Sequence, residues 1–213
     1  MRNESNKCSK QREQFEQKEH PKQNEARLHT LKQQVTTCHA CPLHEGRTNV
    51  VFGVGNTGAQ VMIIGEAPGK NEDAQGEPFV GAAGKYLSEL LSYAQLKREN
   101  VYIANVLKCR PPDNRNPHVS EIQACADYLR EQTRIINPAF IVTLGNFATK
   151  FILRTDVGIT DLRGHVHTAG KFKVFPVFHP AAALYDRKKK DVLKGDFELL
   201  GQLLQEELAE QKE

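Results

Sequence analysis

No apolar run in this 213-residue chain approaches the roughly 18 residues needed to cross a bilayer, and the first thirty residues are polar, without a hydrophobic signal core. The expected location is therefore the cytoplasm, with no membrane partner. A large charge of one sign is lacking too. The formal net charge is +3; residues 1–34 hold eight Lys and Arg against five Asp and Glu, and the rest of the chain carries 21 of each. With a body so balanced, any attraction to nucleic acid has to rest on where basic side chains cluster, not on their total. No internal repeat is present.

What is there reads as an ordinary folded chain, 39% hydrophobic and 26% charged. The length suits one domain with an appendage better than two domains. From Met1 to about Asn24 the only sizeable apolar residues are Met1 and Phe15, too few to offset ordering entropy. Residues 1–25 are thus expected to be a polar, disordered tail and 26–210 the domain. Leu28, Leu31 and Val35 then fall on one face of a short helix.

Beyond that point short apolar runs alternate with helical periodicity. Residues 61–65, 101–107, 140–145 and 174–178 read as buried strands, each bounded by polar or turn residues. Helical patterns span 82–94, 119–136 and 191–208; Ser120 is placed to cap the second and Pro138 to end it. The alternation predicts a doubly wound α/β fold, three layers (α/β/α) around a central, mainly parallel four-stranded sheet. Ligands of such folds bind beyond the carboxyl ends of the strands.

Of five cysteines, Cys8 lies in the tail and reads as a free thiol. Cys38-His39-Ala40-Cys41 is a metal-type knuckle, whereas Cys109 and Cys125 stand 16 positions apart and form no second one. A disulfide framework is disfavoured in a cytoplasmic chain of this size. Spacing leaves an iron–sulfur cluster, a zinc site and buried or redox thiols all open.

The first strand runs into Gly65-Glu66-Ala67-Pro68-Gly69, followed by Gly76-Glu77-Pro78-Phe79-Val80-Gly81. Such a loop lets backbone amides approach a ligand closely, yet it is neither a Walker A sequence nor GxGxxG. Glu66, Glu72 and Asp73 set three carboxylates beside it, suited to positioning water or a metal.

GEAPGKNEDAQGEPFVGAAG, NVLKCRPPDNRNP, FHPAAAL and CHACPL together closely resemble the motifs of the family 4 uracil-DNA glycosylases, in order and spacing, from about Leu28 to Leu204. The resemblance implies the fold of that superfamily and a 4Fe-4S cluster held by Cys38, Cys41, Cys109 and Cys125. It further implies excision of uracil from single- or double-stranded DNA by a monomer that leaves an abasic site and starts base excision repair.

An enzyme that acts on a base must extrude it, stack it and read its Watson–Crick edge. The resemblance makes Phe79 the stacking residue. Asn105 interrupts an apolar strand, and its amide offers the donor and acceptor that match uracil O4 and N3–H, the reverse of cytosine's pattern. His179 ends the last strand, where an N–H aimed at uracil O2 stabilises charge developing on the base. Gly65 and Ala67 border the same pocket; better-known uracil-DNA glycosylases carry an Asp where this chain has Ala67. Glu66 is then the nearest candidate to position water, with Glu72 and Asp73 as rivals, and Glu72 is alternatively a group that crowds C5 against thymine.

For DNA grip, Lys108, Arg110 and Arg115 cluster in one loop, and Arg187, Lys188 and the two lysines after them form a second patch. Leu184 is the candidate wedge for the gap left by the flipped base. Two other classes stay in view: a non-catalytic iron–sulfur DNA-binding module of a replication or repair complex, and a nucleotide or phosphate hydrolase that uses the acidic loop with a divalent metal.

Overall fold

The computed structural model of the chain describes residues 21–210. Cys8 and most of the segment read as a tail lie outside them. The end of that segment is helical: α1 spans Pro21–Thr36, and the buried side chain of Asn24 donates to the Thr57 carbonyl at 3.2 Å. The boundary at residue 25 is therefore drawn too late. The first turn of α1 contributes one buried amide in place of an apolar side chain, so hydrophobic spacing does not reveal it.

Six strands form one sheet: β1 (Val54–Gly55), β2 (Val61–Gly65), β3 (Val101–Asn105), β4 (Phe140–Leu144), β5 (His167–Ala169) and β6 (Phe172–Val177), in the spatial order β1-β3-β2-β4-β6-β5. The four central strands are parallel, and β1 and β5 pair antiparallel at the edges. The expected count of four strands is thus corrected to six. The two edge strands are only two and three residues long and are partly exposed, so neither shows an apolar run. β3 stops at Asn105, two residues before its apolar run ends, because Val106 and Leu107 turn to donate to the Gly65 and Glu66 carbonyls at 2.9 and 3.0 Å.

Every residue of β2, β3 and β4 is buried, as expected of parallel strands covered on both faces. Side chains alternate between two cores. Ile63, Ile103 and Val142 pack beneath α4 (Ala82–Tyr93) and α9 (Arg187–Glu210), through Leu87, Leu90, Phe197 and Leu200. Met62, Ile64 and Ile141 face α1, α5 (Val119–Ile136) and α6 (Gly145–Leu153), through Leu28, Val35, Leu129 and Ala148.

The cap of α5 differs from the sequence expectation. His118, not Ser120, occupies the N-cap, and Glu121 accepts its backbone amide at 2.8 Å in a capping box. α9 begins at Arg187, so the second basic patch forms the first turn of a helix. Two short helices, α2 (Leu43–Gly46) and α7 (Ile159–Leu162), precede β1 and β5 respectively, and among the described residues no helix is long and apolar enough to cross a membrane.

Candidate active site

Because β2, β3 and β6 are parallel, their carboxyl ends bring Gly65, Asn105 and His179 to one edge of the sheet. Gly65 pairs with Asn105 across β2 and β3. A Cβ on Gly65 would collide with the Asn105 side-chain oxygen and would stand 2.7 Å from Phe79 Cζ, so only glycine lets these groups meet. A cavity of about 390 Å3 opens here, a size typical of small-ligand sites.

The loop after β2 contains α3 (Lys70–Gln75), closed by Gly76 in the left-handed region. Glu72 on this helix accepts the Val80 and Gly81 amides at 3.0 and 3.1 Å. Arg98 holds the neighbouring Pro78 carbonyl at 3.0 Å. Between these anchors Phe79 is held at φ +55°, a conformation that costs a bulky residue of the order of 1–3 kcal/mol. Gly84 makes room below, since any side chain there would strike the Phe79 carbonyl. The result is a buried ring with one face on the cavity.

Asn105 is 2% exposed, and its Oδ1 has no hydrogen-bond partner within the protein. Buried polar atoms are almost always paired, so an orphan at a cavity wall is an acceptor set for a ligand. His179 lines the same cavity, with its ring centroid 5.7 Å from that of Phe79 and the planes 28° apart. Its Nδ1 accepts the Ala181 amide at 3.1 Å, which leaves the ring proton on Nε2. Burial pulls the imidazole pKa down to about 4, against a smaller opposing pull from Glu72. The ring is therefore a neutral N–H donor at neutral pH. Gly145, at φ +86°, admits it closely: a Cβ there would lie 3.0 Å from His179 Cβ. Sequence analysis gives Gly145 no role at the site and counts it in the strand; β4 in fact ends at Leu144, and a glycine closing an apolar strand run is the available signal.

The three carboxylates separate. Glu66 is half-buried on the cavity wall, and burial raises its pKa. Glu72 reaches the cavity but is occupied by the two loop amides. Asp73 does not line it; buried, it accepts the Thr48 amide at 2.9 and 3.2 Å. The expectation that Asp73 binds substrate is corrected, because its oxygens serve the loop before β1. Ala67 lines the cavity and adds no acid there.

Among the basic residues, Lys108 is 1% exposed, which excludes the expected phosphate contact. Burial lowers its pKa to about 8. Arg115 reaches the cavity but makes a two-pronged pair with Glu121 at 2.6 and 2.9 Å, and Arg110 donates to Asn114 at 2.8 Å. Arg187 and Lys188 are exposed at the start of α9. Leu184 packs partly onto the core, whereas its neighbour Tyr185 is 99% exposed.

Cys38, Cys41, Cys109 and Cys125 line a second, small cavity with Arg47, Lys108 and Tyr128. All four are free thiols. Cys38 and Cys41 follow α1, Cys109 lies four residues beyond β3, and Cys125 projects from α5. Arg47 donates to Cys109 Sγ at 3.3 Å and to the Thr36 carbonyl at 2.9 Å. Burial pushes Cys109 up and Cys125 up to about 11, with Arg47 and Lys108 respectively opposing it. Among the described residues, no three His, Cys, Asp or Glu side chains are gathered around a single-ion site.

Residues 52–200 match the family model described as the uracil DNA glycosylase superfamily. The chain is 45% identical over 184 residues to the type-4 uracil-DNA glycosylase of Archaeoglobus fulgidus, covering 83% of this chain and 92% of that protein. It is 45% identical over 186 residues to the type-4 enzyme of Sulfurisphaera tokodaii, covering 83% and 84%. With the type-4 enzyme of Thermotoga maritima it shares 46% identity over 165 residues, 76% of this chain and 86% of the other.

Proposed function

The chain belongs to the uracil DNA glycosylase superfamily, and from that premise we propose that it flips uracil out of DNA and hydrolyses its N-glycosidic bond, leaving an abasic site for base excision repair. The observation that carries the residue roles is the orphaned Asn105 Oδ1 beside the Phe79 ring, on the cavity that the His179 donor also lines. Uracil stacks on Phe79, gives its N3–H to Asn105 Oδ1 and accepts the Asn105 amide at O4. His179 Nε2–H meets O2.

As the bond between C1′ and N1 breaks, its electron pair passes to the base, and the His179 donor stabilises the anion at O2. A water oxygen bonds to C1′ and its proton passes to Glu66, whose raised pKa suits a base. The uracil anion then takes up a proton and leaves. No lysine lines the cavity among the described residues, so no amine is present to form a Schiff base and the step is simple hydrolysis.

The four cysteines fit the family's 4Fe-4S cluster: four thiols from three separate segments converge on one cavity, with no carboxylate among its lining side chains. Cys38, Cys41, Cys109 and Cys125 would hold it, and its service is to staple α1, the loop after β3 and α5 together. Exposed Arg187 and Lys188, with Arg110 and with Arg115 at the cavity, take DNA phosphates. Tyr185, fully exposed beyond the short helix α8 (Pro180–Ala183) that follows His179, takes the wedge role expected of Leu184. The protein acts as a cytoplasmic monomer on either single- or double-stranded DNA.

The test is a single-turnover assay on a uracil-containing oligonucleotide, using protein whose visible iron–sulfur absorbance has been recorded. Strand breaks that appear only after alkali support the reading. Coloured protein that binds the DNA without releasing uracil would transfer it to a non-catalytic DNA-binding module.

A further inference from the structure

One buried side chain lies between the main chain at Asn105 and the cysteine cavity. The Lys108 ammonium group donates to the Asn105 carbonyl at 2.8 Å and to Gln132 Oε1 at 2.6 Å. The same side chain forms part of the wall around Cys38, Cys41, Cys109 and Cys125. Both of its hydrogen-bond partners are neutral, and among the described residues it makes no ion pair with a carboxylate. A buried cation without an anion is costly, and an uncompensated one is rarely retained. Four thiolates around a cluster give the cavity a net negative charge, which supplies what the ammonium group lacks.

Gln132 extends the connection. It is 0% exposed on α5, the helix that carries Cys125, and its amide donates to the Phe52 carbonyl at 2.9 Å and to the Tyr102 hydroxyl on β3 at 3.2 Å. The helix that supplies one thiolate and the strand that supplies Asn105 are thus joined through two buried polar side chains.

We propose that Lys108 is a positioning residue: its ammonium group is the buried counter-charge of the four-thiolate centre, alongside the Arg47 guanidinium at Cys109, and at the same time fixes the main chain at Asn105, so that binding of uracil depends on that centre being filled. This rests on the uracil-excision reading for the role of Asn105. Lys108 touches neither the base nor the sugar; it acts through the strand end and the charge balance beneath it.

The test compares full-length wild type with Lys108→Met, which keeps side-chain length and removes charge, and Lys108→Arg, which keeps charge. Circular dichroism follows folding, visible absorbance in air follows the cluster, and calorimetry follows binding of free uracil. Lys108→Met is expected to bleach about tenfold faster and to bind uracil about tenfold more weakly, the scale of effect when a partner behind a metal ligand is lost. Lys108→Arg is expected to recover most of the bleaching time. Unchanged bleaching in folded Lys108→Met, or faster bleaching with unchanged uracil affinity, overturns the proposal. Should that variant not fold, wild type decides: uracil affinity is expected to fall in step with absorbance during air oxidation while the circular dichroism holds, and constant affinity overturns the link. Wild type that keeps its cluster yet neither binds nor releases uracil would instead overturn the excision reading, and the bleaching rates would still judge Lys108 as counter-charge.

Discussion

Asn105 Oδ1 and the Phe79 ring meet over Gly65, each so close to its Cα that a single methyl group there would displace both. The unpaired acceptor and the ring beside it are therefore both set by one glycine. In the proposed reading the amide separates uracil from cytosine, because Oδ1 needs a donor where cytosine N3 has none. In Asn105→Asp the carboxylate keeps acceptors and loses the donor to O4. Uracil release is expected to slow and the preference over cytosine to shrink, measured as the ratio of single-turnover rates on matched oligonucleotides. Retention of the wild-type ratio sinks the recognition role. Sites that read a polar edge discriminate by about 10⁴ or more, so the change is large enough to measure.

His179 and Glu66 predict different pH behaviour. With its pKa down at about 4, His179 is already a neutral donor across the working range and contributes no step near neutrality. His179→Ala is expected to lower the rate about 10²–10³-fold at every pH, the cost of one lost anion-stabilising donor. Folding stability carries the other signature. Between about pH 4 and 6.5 the unfolded imidazole binds a proton that the folded one does not, so stability rises with pH across that window and is level above it. A thermal-melt series is expected to lose that slope in His179→Ala.

As the proposed base, Glu66 works only as the carboxylate, so activity is expected above its pKa and is expected to be lost as the pH falls through it. Burial places that limb above the ordinary value of 4.5. Glu66→Gln is expected to lower the plateau and to abolish the acid limb in a rate–pH profile; a limb that persists in the variant assigns the water to another group.

The parallel core was legible because each central strand is an unbroken apolar run, and the span of α5 because Cys125, Leu129 and Ile136 recur at helical spacing. The convergence of four cysteines came from motif resemblance, since their uneven spacing left several chemistries open. Lys108 was misread for a physical reason. Between Leu107 and Cys109-Arg110 it looks like one residue of a basic loop, and its burial depends on Gln132, 24 positions away, and on a main-chain carbonyl. Asp73 failed likewise: its partners are the Thr48 and Asn49 amides, in a segment with no periodicity to announce it. Side chains that satisfy remote backbone leave no local signal.

Glu72 separates a positioning role from a chemical one. Its carboxylate bonds the two amides that follow Phe79 and so holds the ring in its left-handed conformation. Hydrogen bonds to a charged acceptor contribute about 1.5–3 kcal/mol each. Glu72→Ala is expected to lower the melting temperature and to raise KM for uracil-containing DNA more than it lowers kcat, because the loosened ring binds the base poorly. A fall in kcat with KM unchanged would return Glu72 to water activation.

Tyr185 gives the sharpest contrast between substrates. It stands six residues after His179, wholly exposed, next to exposed Arg187 and Lys188, while Leu184 turns inward onto the core. Flipping a base from a duplex leaves a gap in the stack, at a cost of a few kcal/mol that an inserted side chain offsets; a single strand has no such stack to maintain. Tyr185→Ala is therefore expected to slow release from double-stranded DNA by about tenfold or more and to leave single-stranded DNA nearly unaffected, with Tyr185→Phe close to wild type because the ring face rather than the hydroxyl does the stacking. Leu184→Ala, by contrast, is expected to lower the melting temperature with the ratio of double- to single-strand rates unchanged. If the two variants exchange these behaviours, the wedge is Leu184 and α8 must rearrange on DNA to expose it.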